Sequence, residues 1–115
     1  MASFGQSTSK YRNTKVVIDG EKFDSKHEAE RWIELKYMER AGLIYGLQRQ
    51  VRFTIVPDIY KDGKIVQRMA SYIADFVYQR GGETIVEDAK GVKTDVYKLK
   101  KKLMRWEHGI EIKEV

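Results

Sequence analysis

The spacing of hydrophobic and polar positions along the chain follows two different periods, which predicts both strands and helices. Apolar residues recur at every second position in the strand-like runs and at every third or fourth position in the helix-like runs. The predicted order is a hairpin, a helix, several strands, a second helix and a final strand, over residues 16–23, 25–40, 44–89, 94–107 and 110–115. This order predicts a mixed α/β fold, in which helices pack on a central sheet.

Turn and capping residues mark the boundaries of these elements. Asp19-Gly20 suits the tight turn of the first hairpin. Asp24 or Ser25 can cap the first helix, and Gly42 is placed to end it. The second helix can begin after Thr94 in the same way.

The longest strand is predicted over residues 65–78, and its partner over residues 84–89. Gly81-Gly82 between them suits a two-residue hairpin loop, because such loops need positive φ angles that cost glycine little. Counting back from this loop sets Asp75 opposite Asp88. Like charges directly opposed on neighbouring strands repel each other, so we expect this pair to have a function. Binding a divalent metal ion is the simplest such function.

Strand alternation sorts the acidic residues by face. Asp75 is predicted to share a face with Ile73, and Asp88 to share the same side of the sheet with Lys90. Glu87 falls on the opposite side. A shift of one residue in the loop would exchange Asp88 for Glu87, so Glu87 stays open as the alternative partner of Asp75.

The first helix offers a third carboxylate. Glu28 lies four residues before Trp32 and seven before Leu35, which places it on the apolar stripe that faces the sheet. Glu30 is expected to point to solvent instead. Glu28 is therefore the helical acid best placed to approach the two aspartates.

Composition narrows the chemistry further. The 115 residues suggest a single domain, and the chain has no cysteine and only two histidines. Disulfides, thiolate catalysis and cysteine zinc sites are excluded, so a metal site would use oxygen ligands, which suit Mg²⁺ or Mn²⁺. No apolar run is long enough to span a membrane and no apolar signal segment is visible, so a cytoplasmic location is expected.

Positive charge favours a polyanionic partner. The net charge is +5, and residues 1–14 are expected to form a flexible basic arm ahead of a single domain over residues 15–115. The second helix carries a run of basic residues after the predicted site. The candidate phosphate contacts are Lys93, Lys98, Lys100, Lys101, Lys102 and Arg105, with Lys10 and Arg12 from the arm.

The apolar residues of the second helix form a stripe at helical spacing, made of Val96, Leu99, Leu103 and Trp106. This stripe is predicted to pack on the sheet. Trp106 is accordingly expected in the core or at its rim, and not as a platform for stacking bases.

These residues carry a family resemblance. An aspartate on one strand, a turn and Asp-Xaa-Lys on the next strand resemble the core motif of the PD-(D/E)XK nuclease superfamily, at Asp75, Asp88 and Lys90, with Glu28 on the preceding helix. Ala74 stands where the motif name has proline, and Asp88 is an aspartate where glutamate is more usual. The wider chain also resembles a small phage- and prophage-borne family of unknown function, over residues 10–13, 23–31, 72–76 and 86–91.

The resemblance implies a restriction-endonuclease-like fold and Mg²⁺-dependent hydrolysis of phosphodiester bonds in DNA. Asp75 and Asp88 would bind Mg²⁺ or Mn²⁺ with the Ala89 carbonyl, Glu28 would bind directly or through water, and Lys90 would position the attacking hydroxide. Relatives in the superfamily include Holliday-junction resolvases, so branched or recombination DNA is a candidate substrate. If the chain is phage-encoded, its place would be the bacterial host cytoplasm.

A homodimer is expected, because one domain of this size covers little duplex and two sites are needed to cut two strands. No organic cofactor is expected. Two rival functions stay open. One is a non-catalytic, basic DNA-binding module of a phage replication or recombination system, and the other is a structural protein of a phage assembly.

Overall fold

The computed structural model describes residues 15–90 and 92–115, and it has the predicted mixed α/β fold. The predicted arm over residues 1–14, with Lys10 and Arg12, lies outside the described residues. Neither of the two helices that are described has the length and apolarity of a transmembrane segment. The elements in chain order are β1 Val16–Ile18, β2 Glu21–Phe23, α1 Lys26–Arg40, β3 Tyr45–Val56, β4 Ile59–Lys61, β5 Lys64–Gln67, β6 Ala70–Arg80, β7 Glu83–Asp88, α2 Asp95–His108 and β8 Lys113–Glu114.

The central sheet has four strands in the order β3-β6-β7-β8. β3, β6 and β7 pair antiparallel, whereas β8 joins the edge of β7 in parallel, so the sheet is mixed. β1 and β2 form a separate hairpin around the Asp19-Gly20 turn, as the sequence predicts. The restriction-endonuclease-like arrangement within this class stays a prediction.

Local signals place the ends of α1 correctly. Ser25 Oγ accepts a hydrogen bond from the Glu28 backbone N–H at 3.1 Å, so Ser25 and not Asp24 is the cap. Gly42 has φ of 78° and donates its backbone N–H to the Glu39 carbonyl at 3.0 Å, which ends the helix. The cap fixes where Glu28 lies in the first turn of α1.

The predicted long strand over residues 65–78 is wrong, because its first part belongs to another hairpin. β5 folds back on β4 across the Asp62-Gly63 turn, and β6 begins only at Ala70. β4 and β5 are exposed throughout. The predicted final strand over residues 110–115 is reduced to Lys113–Glu114, which pair with Glu87 and Asp88.

Two hydrophobic clusters flank the sheet, one on each helix. The α1 cluster consists of Phe23, Ala29, Trp32, Leu35, Ile44, Phe76 and Tyr78. The α2 cluster consists of Ile55, Tyr72, Ala74, Val77, Val86, Tyr97, Met104 and Ile112.

β3 and β6 both change faces at the same level of the sheet. In β6, Tyr72 and Ala74 belong to the α2 cluster, but Phe76, two residues on, belongs to the α1 cluster. In β3 the change falls at Gln50, which has a positive φ of 53° in the middle of the strand. Asp75 is the residue of β6 at which the faces exchange.

This change of face corrects one sequence prediction. The sequence predicts that Ile73 shares a face with Asp75 and Val77, but Val77 is buried in the α2 cluster whereas Ile73 is 42% exposed. Simple alternation assumes a regular strand, and β6 is irregular at Asp75.

α2 also faces the sheet differently from the prediction. Its buried residues are Tyr97 and Met104. Val96, Leu99 and Trp106 are 63%, 57% and 84% exposed, so these three residues of the predicted apolar stripe point away from the core, whereas Leu103 packs against it. The prediction failed because Tyr97 and Met104, which lie outside the regular apolar stripe, are the residues of α2 that are buried.

Candidate active site

The β6–β7 hairpin has the predicted two-residue loop. Gly81 and Gly82 take φ of 57° and 82°, and the strands pair in the predicted register as far as Phe76 opposite Glu87. The paired ladder ends there. Just beyond it, Asp75 Oδ2 accepts a hydrogen bond from the Ala89 backbone N–H at 2.8 Å. Asp75 is thus held next to the residue that follows Asp88.

Asp88 is fully buried and only half satisfied. Its Oδ2 accepts a hydrogen bond from the Tyr72 hydroxyl, and its Oδ1 has no hydrogen-bond partner among the described residues. Lys90 Nζ lies 3.4 Å from this Oδ1 and 5.2 Å from the centre of the Tyr97 ring. Buried carboxylate oxygens are normally hydrogen-bonded, so Oδ1, which has an ion pair with Lys90 but no hydrogen bond, can still accept a further ligand such as water or a cation.

The protonation of Asp88 reflects this setting. Burial raises the pKa of Asp88 to about 6, against the hydrogen bond from Tyr72, and the charge of Asp75 adds to the rise while Lys90 opposes it. A carboxylate whose ionised form is disfavoured in this way gains from a nearby positive charge. More positive charge than Lys90 supplies would therefore stabilise the ionised form of Asp88.

Glu28 is buried on the sheet-facing side of α1, as predicted, and Glu30 is exposed. Glu28 Oε2 lies 3.4 Å from an Arg49 guanidinium nitrogen and 3.3 Å from Gln50 Nε2. Burial raises the pKa of Glu28, and the charge of Asp75 raises it further. Asp75 is therefore close enough to influence both Glu28 and Asp88.

The structure brings the predicted site residues together only in part. Asp75, Asp88, Ala89 and Lys90 meet at the end of the hairpin, whereas Glu28 is held by Arg49 and Gln50. Within the described ranges, no three acidic or histidine side chains converge on one point as ready metal ligands. The acids that meet there, Asp75 and Asp88, offer carboxylate oxygens, which are the ligands that suit a hard divalent cation.

An open cavity of about 230 Å³ adjoins Glu28, lined by Lys22, Asp24, Glu28, Arg49 and Gln50. The Arg49 guanidinium lies 3.9 Å from the centre of the Phe23 ring and donates to the Lys22 carbonyl at 2.9 Å. Arg49 is therefore fixed in place, with its positive charge at the mouth of the cavity.

Glu87 faces α1, on the opposite side of the sheet from Asp88, and both of its carboxylate oxygens accept hydrogen bonds. Arg31 donates to its Oε1 at 2.8 Å and to its Oε2 at 2.7 Å, and the Tyr78 hydroxyl also donates to Oε2. Burial alone would raise the pKa of Glu87, but the hydrogen bonds from Arg31 and Tyr78 lower it overall. This arrangement favours Asp88 over Glu87 as the metal ligand.

The predicted phosphate contacts divide into two groups. Lys93 and Lys101 pair with Glu114 at 3.3 and 3.2 Å, and Arg105 pairs with Glu111 at 3.0 Å. Lys98, Lys100 and Lys102 form no ion pair with any residue that the structure describes. The second group keeps its charge available for a partner.

Several residues of the site have no signal in the sequence. Tyr72 reaches Asp88 only because β6 changes faces at Asp75, and alternation would place Tyr72 on the opposite side. Gln50 adopts a positive φ that glycine, asparagine or aspartate would have indicated. The approach of Arg49 to Glu28 likewise depends on the packing of β3 against α1.

Comparison with known families gives one match. The family described as Protein of unknown function (DUF1064) matches residues 8–114. Comparisons with curated proteins and with solved structures gave no match. The predicted resemblance to a family of unknown function is confirmed to this extent, and membership of the PD-(D/E)XK superfamily stays a prediction.

Proposed function

The chain belongs to the DUF1064 family, a family of unknown function, and we propose that it is a metal-dependent endonuclease that hydrolyses phosphodiester bonds in DNA. The proposal includes membership of the PD-(D/E)XK superfamily. It also includes branched recombination intermediates among the possible substrates, which rests on the superfamily resemblance.

The observation that carries the proposal is the buried oxygen of Asp88 that pairs with Lys90 but has no hydrogen bond. Asp88 Oδ1 is buried without a hydrogen bond, next to Lys90 and within the field of Asp75. A buried carboxylate oxygen normally accepts a hydrogen bond, and Oδ1 has only the 3.4 Å ion pair with Lys90. Burial raises the pKa of Asp88, and a perturbed acid beside a charged partner is typical of sites that bind metal ions or catalyse reactions.

Asp75, Asp88 and the Ala89 carbonyl would hold Mg²⁺ or Mn²⁺. The ion would stabilise negative charge on the phosphate and lower the pKa of a bound water. Tyr72 fixes the rotamer of Asp88, and the Ala89 backbone N–H fixes that of Asp75. Both carboxylates are thereby oriented before any substrate binds.

Lys90 is the residue that would act on the nucleophile. Its ammonium is partly exposed and lies 3.4 Å from Asp88 Oδ1, so it can reach both the acids and solvent. From there it would orient the attacking water and stabilise charge on the phosphate. Glu28 and Arg49 would contact the substrate or its waters from the adjoining cavity.

The function is tested by a cleavage panel of linear, flapped and four-way DNAs with Mg²⁺, Mn²⁺ or EDTA. We expect cleavage with either metal, none in EDTA, and a loss of about 10²-fold or more in Lys90→Ala, because a general acid–base or charge-stabilising group contributes that much. Lys64→Ala in the exposed β5 strand is the matched control and should cleave normally.

Two outcomes would contradict the proposal. Cleavage that survives EDTA would exclude the metal, and salt-sensitive DNA binding without cleavage of any substrate would favour the non-catalytic module. The absence of both binding and cleavage would favour a structural protein.

Tyr72→Phe should weaken metal binding without unfolding the protein. The substitution removes the hydroxyl that orients Asp88 and leaves the ring in the α2 cluster. Groups that orient metal ligands typically contribute about 10–100-fold to metal affinity. The Mn²⁺ concentration for half-maximal cleavage and the Mn²⁺ dissociation constant measured by calorimetry should both rise by about tenfold.

Tyr60→Phe provides the comparison for this variant, since Tyr60 is an exposed residue of β4. It should leave the metal affinity unchanged. Equal metal affinity in Tyr72→Phe and the unchanged protein would show that the hydroxyl does not position Asp88.

A further inference from the structure

The exposed apolar face of α2 has no partner within the described protein. Val96, Leu99 and Trp106 lie on this face, and half-buried Leu103 borders it. The buried residues Tyr97 and Met104 lie well around the helix from them, so α2 presents one face to its own core and a second, separate apolar face to solvent.

The spacing along this face is that of a coiled coil. Val96, Leu99, Leu103 and Trp106 are separated by three, four and three residues, which gives Val96 and Leu103 the a positions and Leu99 and Trp106 the d positions of two heptads. A second helix is the natural occupant of such a stripe, because each a or d side chain fits between four residues of a facing helix.

The flanking charges identify the second helix. In this register Asp95 and Lys102 are g residues, and Lys100 and Glu107 are e residues. In a parallel pair of identical helices, each g residue lies beside the e residue five positions further along the partner. Asp95 then meets Lys100 and Lys102 meets Glu107, so both kinds of contact join opposite charges.

The antiparallel alternative is electrostatically less favourable than the parallel pair. Setting Val96 against Trp106 and Leu99 against Leu103 centres the pair near Lys101. In this arrangement e residues face e residues and g residues face g residues. Lys100 then lies near the partner's Lys100, and Lys102 lies near the partner's Lys102. Like charges in such positions destabilise the pair.

We propose that α2 is the homodimer interface of this protein and that it pairs in parallel with α2 of a second copy. None of the four flanking residues forms an ion pair with another described residue of its own protomer, so all four are available. Lys98 and Arg105 lie on neither the stripe nor its flanks, and Lys98, which has no ion pair with a described residue, stays accessible to phosphate. The proposal does not depend on the nuclease activity.

Sedimentation equilibrium on the full chain tests the interface. We expect a dimer at about 100 µM protein and a dimer dissociation constant at least about tenfold higher in Leu99→Lys, which places a charge in the stripe. Leu99 is exposed in the protomer, so this variant should fold, as circular dichroism would show. Lys98→Glu, outside the interface, should dimerise like the unchanged protein.

Charge exchange tests the partner and its direction. Asp95→Lys alone should weaken the dimer, because it sets lysine against the partner's Lys100. Lys100→Asp alone should also weaken it, and Asp95→Lys/Lys100→Asp together should restore the dimer to within about threefold of the original affinity, since the opposite charges are re-formed.

Single cysteines test the orientation in a chain that has none of its own. Oxidised Trp106→Cys should form a covalent dimer, because the same d residue meets its copy in a parallel pair. A mixture of Val96→Cys and Trp106→Cys chains should form no mixed disulfide, since these positions meet only in the antiparallel pair.

A monomer at about 100 µM would overturn the proposal and leave a helix of another protein as the occupant of the stripe. A dimer unaffected by Leu99→Lys would place the interface elsewhere. A mixed disulfide would overturn the parallel orientation.

Discussion

Asp88→Asn is expected to reduce metal-dependent DNA cleavage by about 10³-fold or more and to leave the protein folded and at least as stable. The loss follows because the amide cannot supply the negative charge that a divalent cation requires. Stability is retained because the asparagine carbonyl can still accept a hydrogen bond from the Tyr72 hydroxyl. Burial raises the pKa of Asp88 to about 6, so removal of the ionised carboxylate relieves a cost of folding near neutral pH.

Initial cleavage rates with Mn²⁺ and urea unfolding curves measure the two parts of this prediction. Glu87→Gln is the informative comparison, because Glu87 adjoins Asp88 in β7 but faces Arg31 and Tyr78. It should lose stability and, under conditions where it is folded, keep its cleavage. The opposite result, with Glu87→Gln inactive and Asp88→Asn active, would assign the metal to Glu87.

Arg31→Met is expected to lower the free energy of unfolding by about 3–5 kcal/mol, the largest stability effect we predict. Arg31 donates two hydrogen bonds to Glu87, whose side chain is fully buried. Methionine preserves much of the apolar stem of Arg31 but leaves the Glu87 carboxylate without its counter-ion. Urea unfolding at neutral pH measures the change.

The double variant Arg31→Met/Glu87→Met should recover most of this loss, since an apolar pair of similar volume removes the buried charge along with its partner. Glu34→Gln removes the other, exposed acceptor of Arg31 and should change stability by less than about 1 kcal/mol. If Arg31→Met and Glu34→Gln cost the same, the buried pair does not contribute as proposed.

The parts of the fold that the sequence predicted correctly depend on short-range signals. Ser25 caps α1 through a contact three residues away, and Gly81-Gly82 sets the register of β6 and β7 through its own backbone angles. Asp88 and Lys90 could be placed on the site from that register alone. Each of these signals acts within a few residues, which is the range that one sequence can report.

The parts that could not be predicted depend on tertiary packing. The contact between Arg31 and Glu87 joins residues 56 positions apart, and nothing near either residue indicates the other. The exposed stripe of α2 has the stronger apolar pattern, yet Tyr97 and Met104 are the residues that fit the sheet. A pattern identifies an apolar face, but not which of two surfaces will cover it.

The change of face at Gln50 and Asp75 has a mechanical consequence. Before this level β6 contacts the α2 cluster through Tyr72 and Ala74. Beyond it β6 contacts both clusters, the α1 cluster through Phe76 and Tyr78 and the α2 cluster through Val77. Glu28 lies on α1, the helix that carries the α1 cluster. Asp88 accepts a hydrogen bond from Tyr72 of the α2 cluster, and Asp75 lies where β6 changes faces. Because Val77 packs the outer half of β6 into the α2 cluster, the two halves of the strand cannot rotate against each other without disturbing a core. The packing of both cores would then set the separation of Glu28 and Asp88 and the width of the candidate active site.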